Sequence, residues 1–399
     1  MVDRLILCLD GTWNSPFKKV ERQDGTKVLK PSNPLKVARA VLPVDSHGNR
    51  QITYYDSGVG ALGLYPGLSN RLLKFADNKL GGGWGAGFEA NVEQAANFLA
   101  NNMTPGAEIY IFGFSRGAAQ ARALTRFLDW LGGITPKSDA YYMPLFFREY
   151  ILSRGKANPK DLISQSSGYQ PFLRLQPFSI TFLGVWDTVM ALGSRFQASE
   201  NNSTKERSFH VDAIPASCVK HARQALAIDE KRYDFRPEIW EESISNQTLA
   251  QRWFPGCHGN IGGSYGNDGL ANGALHWIVE EAKKQGLQID DNFLKRYRPY
   301  SRDEISDTYT DVYSIMEFVR RKHGKGIRAL SLIPNRNQLT IDKSTIERLC
   351  SDPENHKHMN KKYRSKGVVD YAKKHKNDKD KFIRSFNLDP NIFPFPEDI

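Results

Sequence analysis

Residues 107–124 read AEIYIFGFSRGAAQARAL, and at their centre stands Gly113-Phe114-Ser115-Arg116-Gly117. A G-x-S-x-G taken alone is weak. With Gly and Ser each near ~7% of residues, chance supplies one in about one chain of seven this long. The flanks raise it. Ala107–Phe112 has the apolar, aromatic texture of a buried strand, and the small residues after Gly117 open a helix. Strand, sharp turn and helix in that order describe a nucleophile elbow. Side chains at the two glycine positions would collide with the neighbouring strand or helix. The turn lifts the Ser115 hydroxyl above the sheet at a helix N-terminus, where backbone N–H groups can stabilise a developing oxyanion.

The same alternation runs outward in both directions. Leu5–Leu9, Gln51–Tyr55, Ile180–Trp186 and Leu249–Phe254 are short apolar runs ending near Asp, Ser or Gly. Phe88–Asn101, Gly117–Leu131, Pro215–Asp229 and Leu270–Lys284 read as helices. The expected fold is α/β and α/β-hydrolase-like, a mostly parallel sheet flanked by helices. Ligands of such sheets bind at the carboxyl ends of the strands.

A nucleophilic serine needs a base, and the base an orienting acid, in the chain order Ser, acid, His. Asp187 closes the run Ile180–Trp186 and is the expected acid, with helix N-cap as the plainer role. Of nine histidines, His258 lies in Pro255-Gly256-Cys257-His258-Gly259-Asn260-Ile261-Gly262-Gly263. Its glycines suit a loop that approaches the elbow closely. His258 is the expected base; His221, within the expected helix 215–229, is the runner-up.

Leu7-Cys8-Leu9-Asp10-Gly11-Thr12 is similar to the D-x-D-G-T of haloacid-dehalogenase phosphatases, but Cys8 stands where their nucleophilic aspartate would be. The better role is a loop beside the elbow. Amides of Gly11 or Thr12 would then join that of Arg116 in an oxyanion hole.

The 399 residues carry 55 Lys and Arg against 44 Asp and Glu, a formal charge of +11. That balance favours anionic partners without choosing among them. The four scattered cysteines suggest neither a disulfide framework nor a zinc site. No cofactor is required, and Asp10, Asp56 and Asp268 lack the spacing of a cation loop. No apolar run reaches the length of a membrane span, and Leu5–Leu9 is too short for a signal peptide. The expectation is therefore cytoplasmic synthesis. Residues 1–290 read as the catalytic domain. Residues 291–399 read as a basic, mainly helical appendage, in which 351–385 hold eleven Lys or Arg against five Asp or Glu. Residues 192–212 read as a polar, flexible stretch. Ala140–Phe147 could form a lid, though a core helix end fits better, with Pro144 kinking any helix there. The rival to an enzyme is a vestigial hydrolase domain that binds a partner through 351–385. Nucleic acid is disfavoured as that partner, because no stacking set, helix-turn-helix or zinc motif accompanies the charge.

With those residues in place the chain resembles the type VI secretion phospholipase-effector-like α/β-hydrolase family, formerly a domain of unknown function. The resemblance rests on Cys8–Asn14, Tyr54–Gly60, Ile111–Ala118 with Arg122, Gly184–Val189, His221–Arg232 with Phe235, and Trp253–Tyr265 with Leu270. It spans roughly residues 1–285. It implies a serine lipase or phospholipase cleaving carboxylic esters at a membrane surface, with Ser115, Asp187 and His258 as its triad. It also implies delivery by a secretion system and an immunity or carrier protein, where the domain serves that role. The family loop commonly reads His-Ser-Asp-Val-Gly-Gly; here it is His258-Gly259-Asn260-Ile261-Gly262-Gly263, one carboxylate fewer beside the base.

Overall fold

The computed structural model describes residues 2–11, 14, 19–21, 26–58, 83–165, 174–189, 213–232, 235–263, 265–308, 328 and 339–399. Thr12 and the stretch 192–212 lie outside them. Among the described residues no helix is long and apolar enough to cross a membrane.

Among the described residues nine strands are present: β1 Arg4–Leu9, β2 Lys19–Glu21, β3 Lys27–Leu29, β4 Gln51–Asp56, β5 Glu108–Phe114, β6 Ile180–Trp186, β7 Val219–Ala227, β8 Thr248–Phe254 and β9 Leu339–Ile341. β2 and β3 form a small antiparallel ribbon. The other seven make one sheet in the order β4-β1-β5-β6-β7-β8-β9, parallel throughout. The fold is α/β. Its strand order reverses between the neighbours β1 and β5, and parallel sheets hold their ligands in the crevice at such a point.

The central strands β1, β5 and β6 bury both faces, as a doubly covered sheet demands. Leu5, Leu7, Leu9, Ile109, Ile111, Leu183 and Val185 point to one side. There they meet α2 (Gly83–Asn102), α3 (Arg116–Leu131) and α4 (Met143–Ser153). Ile6, Cys8, Tyr110, Phe112, Phe114, Phe182 and Trp186 point to the other, against α1 (Asn33–Ala40) and Gly269–Lys283. The alternation within β1, β5 and β6 is the period-2 geometry of a strand.

One expected element is corrected. Residues 215–229 do not form a helix: Val219–Ala227 is β7, paired to β6 and β8. Its Ala, Arg, Gln and Lys favour helix intrinsically. Ala222 and Ala225–Ala227 are fully buried, and small side chains let a central strand sit under helices on both faces, so tertiary packing overrides local preference. His221 therefore lies near the amino end of β7, its Nδ1 2.7 Å from Thr248 Oγ1. Six residues separate it from the carboxyl end, about 20 Å of strand, which removes it as a base.

Pro144 occupies the first turn of α4, where a proline's missing N–H costs nothing, so it starts the helix rather than kinking it. Tyr142, Met143, Phe146 and Phe147 are core residues there. The change of texture near residue 290 is not a division of the sheet. β9 pairs with β8, and Ile346, Leu349, Val368, Phe382 and Ile383 pack with Leu226, Ile228 and Trp253 in a third cluster. The basic run is partly compensated by the chain's own end: Lys379 pairs with Glu397, and Lys362 and Arg364 with Asp398.

Candidate active site

Asp10, Ser115, Asp187, Glu230 and His258 all follow the carboxyl ends of their strands, so the parallel arrangement collects them along one edge. Ser115 follows β5 and precedes α3. Its φ of 57° and ψ of −120° form the sharp turn foreseen from the sequence. A left-handed φ is costly for a side-chain-bearing residue and is held only where surroundings enforce it. Here the Ser115 N–H donates to Trp186 O at 3.0 Å. The glycines allow the close approach. A Cβ on Gly113 would lie 2.5 Å from Gly117 O, and one on Gly117 2.2 Å from Leu9 O.

Asp187 also has a positive φ, 42°, and is fully buried at the end of β6. Its N–H donates to Ala225 O, and its Oδ1 accepts from Ala227 N–H at 3.0 Å. His258 opens a short helix, His258–Gly262, after β8. The spacings close a chain: Ser115 Oγ is 2.8 Å from His258 Nε2, and His258 Nδ1 is 2.7 Å from Asp187 Oδ2. Burial pushes the Asp187 carboxyl up, but the Arg328 guanidinium and His258 outweigh it and hold the group well below the usual carboxylate range. Asp187 is thus a carboxylate and accepts only. The imidazole proton sits on Nδ1, leaving Nε2 to accept from the Ser115 hydroxyl.

The imidazole is held from both sides. Phe114 packs at 4.8 Å between ring centroids and Phe235 at 5.0 Å, edge-on. The His258 N–H donates to Glu230 Oε2 at 3.2 Å. Burial raises the Glu230 carboxyl, yet the fork of Arg232 prevails and brings it down to about 2. This carboxylate stands near His258, whose loop lacks the aspartate of the pattern His-Ser-Asp-Val-Gly-Gly. Gly259 and Gly262 leave room for the Tyr265 and Phe114 rings, which a Cβ would overlap at 2.4 and 2.0 Å.

Of the expected oxyanion donors, Arg116 takes the first position of α3, directly after Ser115. Gly11 gives its N–H to Asp10 Oδ1 at 2.7 Å. Thr12 is outside the described residues. Asp10 is a buried hub that also accepts from Asn14, Tyr55 and Ser32. Asp56 accepts from Asn91 and Tyr54, and Asp268 from the buried Lys36. Asp10 and Asp56 are neighbours, the Asp10 N–H donating to Asp56 O at 3.0 Å, while Asp268 pairs elsewhere with Lys36. Arg328 and Glu230 are the contacts that sequence reasoning missed. Glu230 carried a faint signal, its place in the segment Ile228-Asp229-Glu230-Lys231-Arg232 after an apolar run. Arg328 carried none.

The sequence matches the family described as "T6SS, phospholipase effector Tle1-like, catalytic domain" over residues 3–281. It is 26% identical over 239 residues to the uncharacterized protein YEL023C of Saccharomyces cerevisiae, covering 58% of this chain and 32% of that protein. Two solved structures are similar in part. One is an uncharacterized protein from Pseudomonas aeruginosa (17% identity, TM-score 0.41, 75% of this chain and 49% of that one). The other is the Tle1 effector bound to the VgrG spike of the type 6 secretion system (22% identity, TM-score 0.35, 67% and 52%). The chain thus spans about a third of the curated relative and half of each solved chain. With the family matched across most of its length, this chain belongs to the Tle1-like phospholipase effector catalytic-domain family.

Proposed function

We propose that this chain is a serine hydrolase that cleaves carboxylic ester bonds of phospholipids through Ser115, His258 and Asp187. The observation that carries the reading is the unbroken series of short contacts from Asp187 through His258 to Ser115 on a strained elbow. In this reading Ser115 Oγ attacks the ester carbonyl as His258 Nε2 takes its proton. His258 returns that proton to the departing alcohol, leaving an acyl-enzyme. Water then attacks the acyl carbon, giving a proton to His258, and the fatty acid leaves as Ser115 recovers its hydrogen. Asp187 holds the imidazole tautomer and stabilises the imidazolium. The Arg116 amide serves the oxyanion. Gly11 would first have to release Asp10.

Family membership supports the lipid substrate, and the formal charge of +11 suits an anionic membrane surface. Pairing of Lys362, Arg364 and Lys379 with Glu397 and Asp398 reduces what the C-terminal segment adds to that attraction. The family's type VI secretion context supports delivery to a target cell, with an immunity or carrier protein as partner. The similarity to a yeast protein makes the chemistry a separate question from that delivery. A vestigial binding module has no observation in its favour, since the triad spacing is intact.

The test is release of fatty acid from mixed phospholipid vesicles by the wild type and Ser115→Ala, both confirmed folded by circular dichroism. Release that vanishes in the variant is expected. Equal release by both proteins would overturn the assignment of Ser115.

A further inference from the structure

Asp187 has a charged partner from a part of the chain beyond the family's matched span of residues 3–281. Arg328 Nη1 donates to Asp187 Oδ1 at 2.7 Å and Nη2 to Oδ2 at 3.1 Å, a two-pronged fork on one carboxylate. The same guanidinium donates to Ala227 O at 2.6 Å and to Phe235 O. Its side chain is only 6% exposed. Asp187 Oδ2 is therefore shared between Arg328 and His258 Nδ1.

Resting on the triad reading above, we infer that Arg328 is a positioning residue of the catalytic site: it locks the plane of the Asp187 carboxylate and withdraws part of its charge from His258, setting the pH at which Ser115 is activated. A guanidinium stays protonated at any working pH, and its planar fork matches a carboxylate in two places at once. A lysine would supply charge without that orientation. By tethering Ala227 and Phe235 as well, Arg328 also fixes the end of β7 and the ring that packs on His258.

The groups around His258 give the direction of the effect. Asp187 faces it from the end of β6, Ser115 from the elbow, Glu230 with Arg232 from the segment after β7, and Arg328 from behind Asp187. Cys257 and Tyr265 on the histidine's own loop stay neutral, since burial raises both. Among the described residues Arg328 is the one cation bonded to Asp187. Its positive charge opposes a further proton on the Asp187–His258 pair. Removing it makes that proton easier to add whichever of the two atoms holds it, so the pair titrates at higher pH.

The experiment compares full-length wild type, Arg328→Gln and Arg328→Lys. Selective ¹⁵N-histidine NMR follows the His258 ring nitrogens against pH, with His258→Asn for assignment. Labelling by a fluorophosphonate probe against pH reads activation of Ser115, with Ser115→Ala as control. In Arg328→Gln the His258 midpoint and the acidic limb of labelling should both rise by about one pH unit or more. In Arg328→Lys the midpoint should stay near wild type while the plateau rate falls about tenfold, the charge being kept and the fork lost. A folded Arg328→Gln with an unmoved His258 midpoint overturns the inference. If Arg328→Gln does not fold, Arg328→Lys decides: a wild-type plateau rate refutes the positioning role and a reduced one at unchanged midpoint supports it. Labelling of Ser115→Ala at the wild-type rate would bring down the triad reading and this inference together. Labelling that requires Ser115, with no effect of Arg328, removes this inference alone.

Discussion

Replacing Gly117 by alanine tests whether the elbow depends on backbone contact between α3 and β1. A Cβ there would lie 2.2 Å from Leu9 O and 2.6 Å from Asp10 O, whereas ordinary contact begins at 3.4 Å. Both obstacles are backbone, so no side chain can swing aside. The shortfall from 3.4 to 2.2 Å requires the first turn of α3 and the end of β1 to separate by about 1 Å. Overpacking of this kind costs about 1–3 kcal/mol or more. The movement also carries Ser115 away from His258, and a misplacement of about 1 Å at a reacting atom typically costs on the order of 10²-fold in rate. Gly273→Ala is the matched control. Gly273 lies inside the helix Gly269–Lys283 with nothing within 4 Å of an added Cβ. There alanine should gain about 0.5–1 kcal/mol from helix propensity. Chemical denaturation gives the stabilities and fluorophosphonate labelling the Ser115 reactivity. Gly117→Ala that labels and unfolds like wild type would refute the close approach argued here.

Three further outcomes are expected. Asp187→Asn removes the charge that sets the His258 tautomer and leaves Arg328 buried without its carboxylate; labelling and ester turnover should fall by about 10³–10⁴, and denaturation should show a loss of roughly 3 kcal/mol or more. Glu230, held down at about 2 against an ordinary 4.5, contributes stability that is full above about pH 5 and lost as pH falls toward 2. Glu230→Gln should therefore flatten acid unfolding in that window, seen by circular dichroism at stepped pH; an unchanged acid profile would show that Glu230 is not linked to folding. Tyr363→Phe removes the hydroxyl that donates to Asp229 Oδ2 at 2.9 Å beneath the His258 loop, and should cost about 1–3 kcal/mol in urea unfolding.

The elbow was legible because its signal is local. Two glycines, a serine and the texture on either side lie within the eighteen residues 107–124, and hydrophobic pattern alone separates the strand from the helix. Asp187 and His258 were legible by a longer chain of reasoning. Each stands just past an apolar strand, and parallel strands place such residues on one edge. β7 was not legible. Its alanines and long polar side chains suit a helix, and only its position between β6 and β8, covered on both faces, makes a strand of it. The place of β9 at the sheet edge was equally hidden, since three residues leave little pattern to read.

The sequence by itself determined the α/β alternation, the sharp turn at Ser115, and the places of Asp187 and His258 just past apolar strands, because hydrophobic period and turn chemistry act over a few residues. Tertiary structure alone decided the strand identity of β7, the Phe114 and Phe235 walls around His258, the carboxylate of Glu230 at its N–H, and the Arg328 fork on Asp187. Those are contacts between segments far apart in the chain. No local preference encodes such a pairing; it exists only once the sheet has brought the strand ends together.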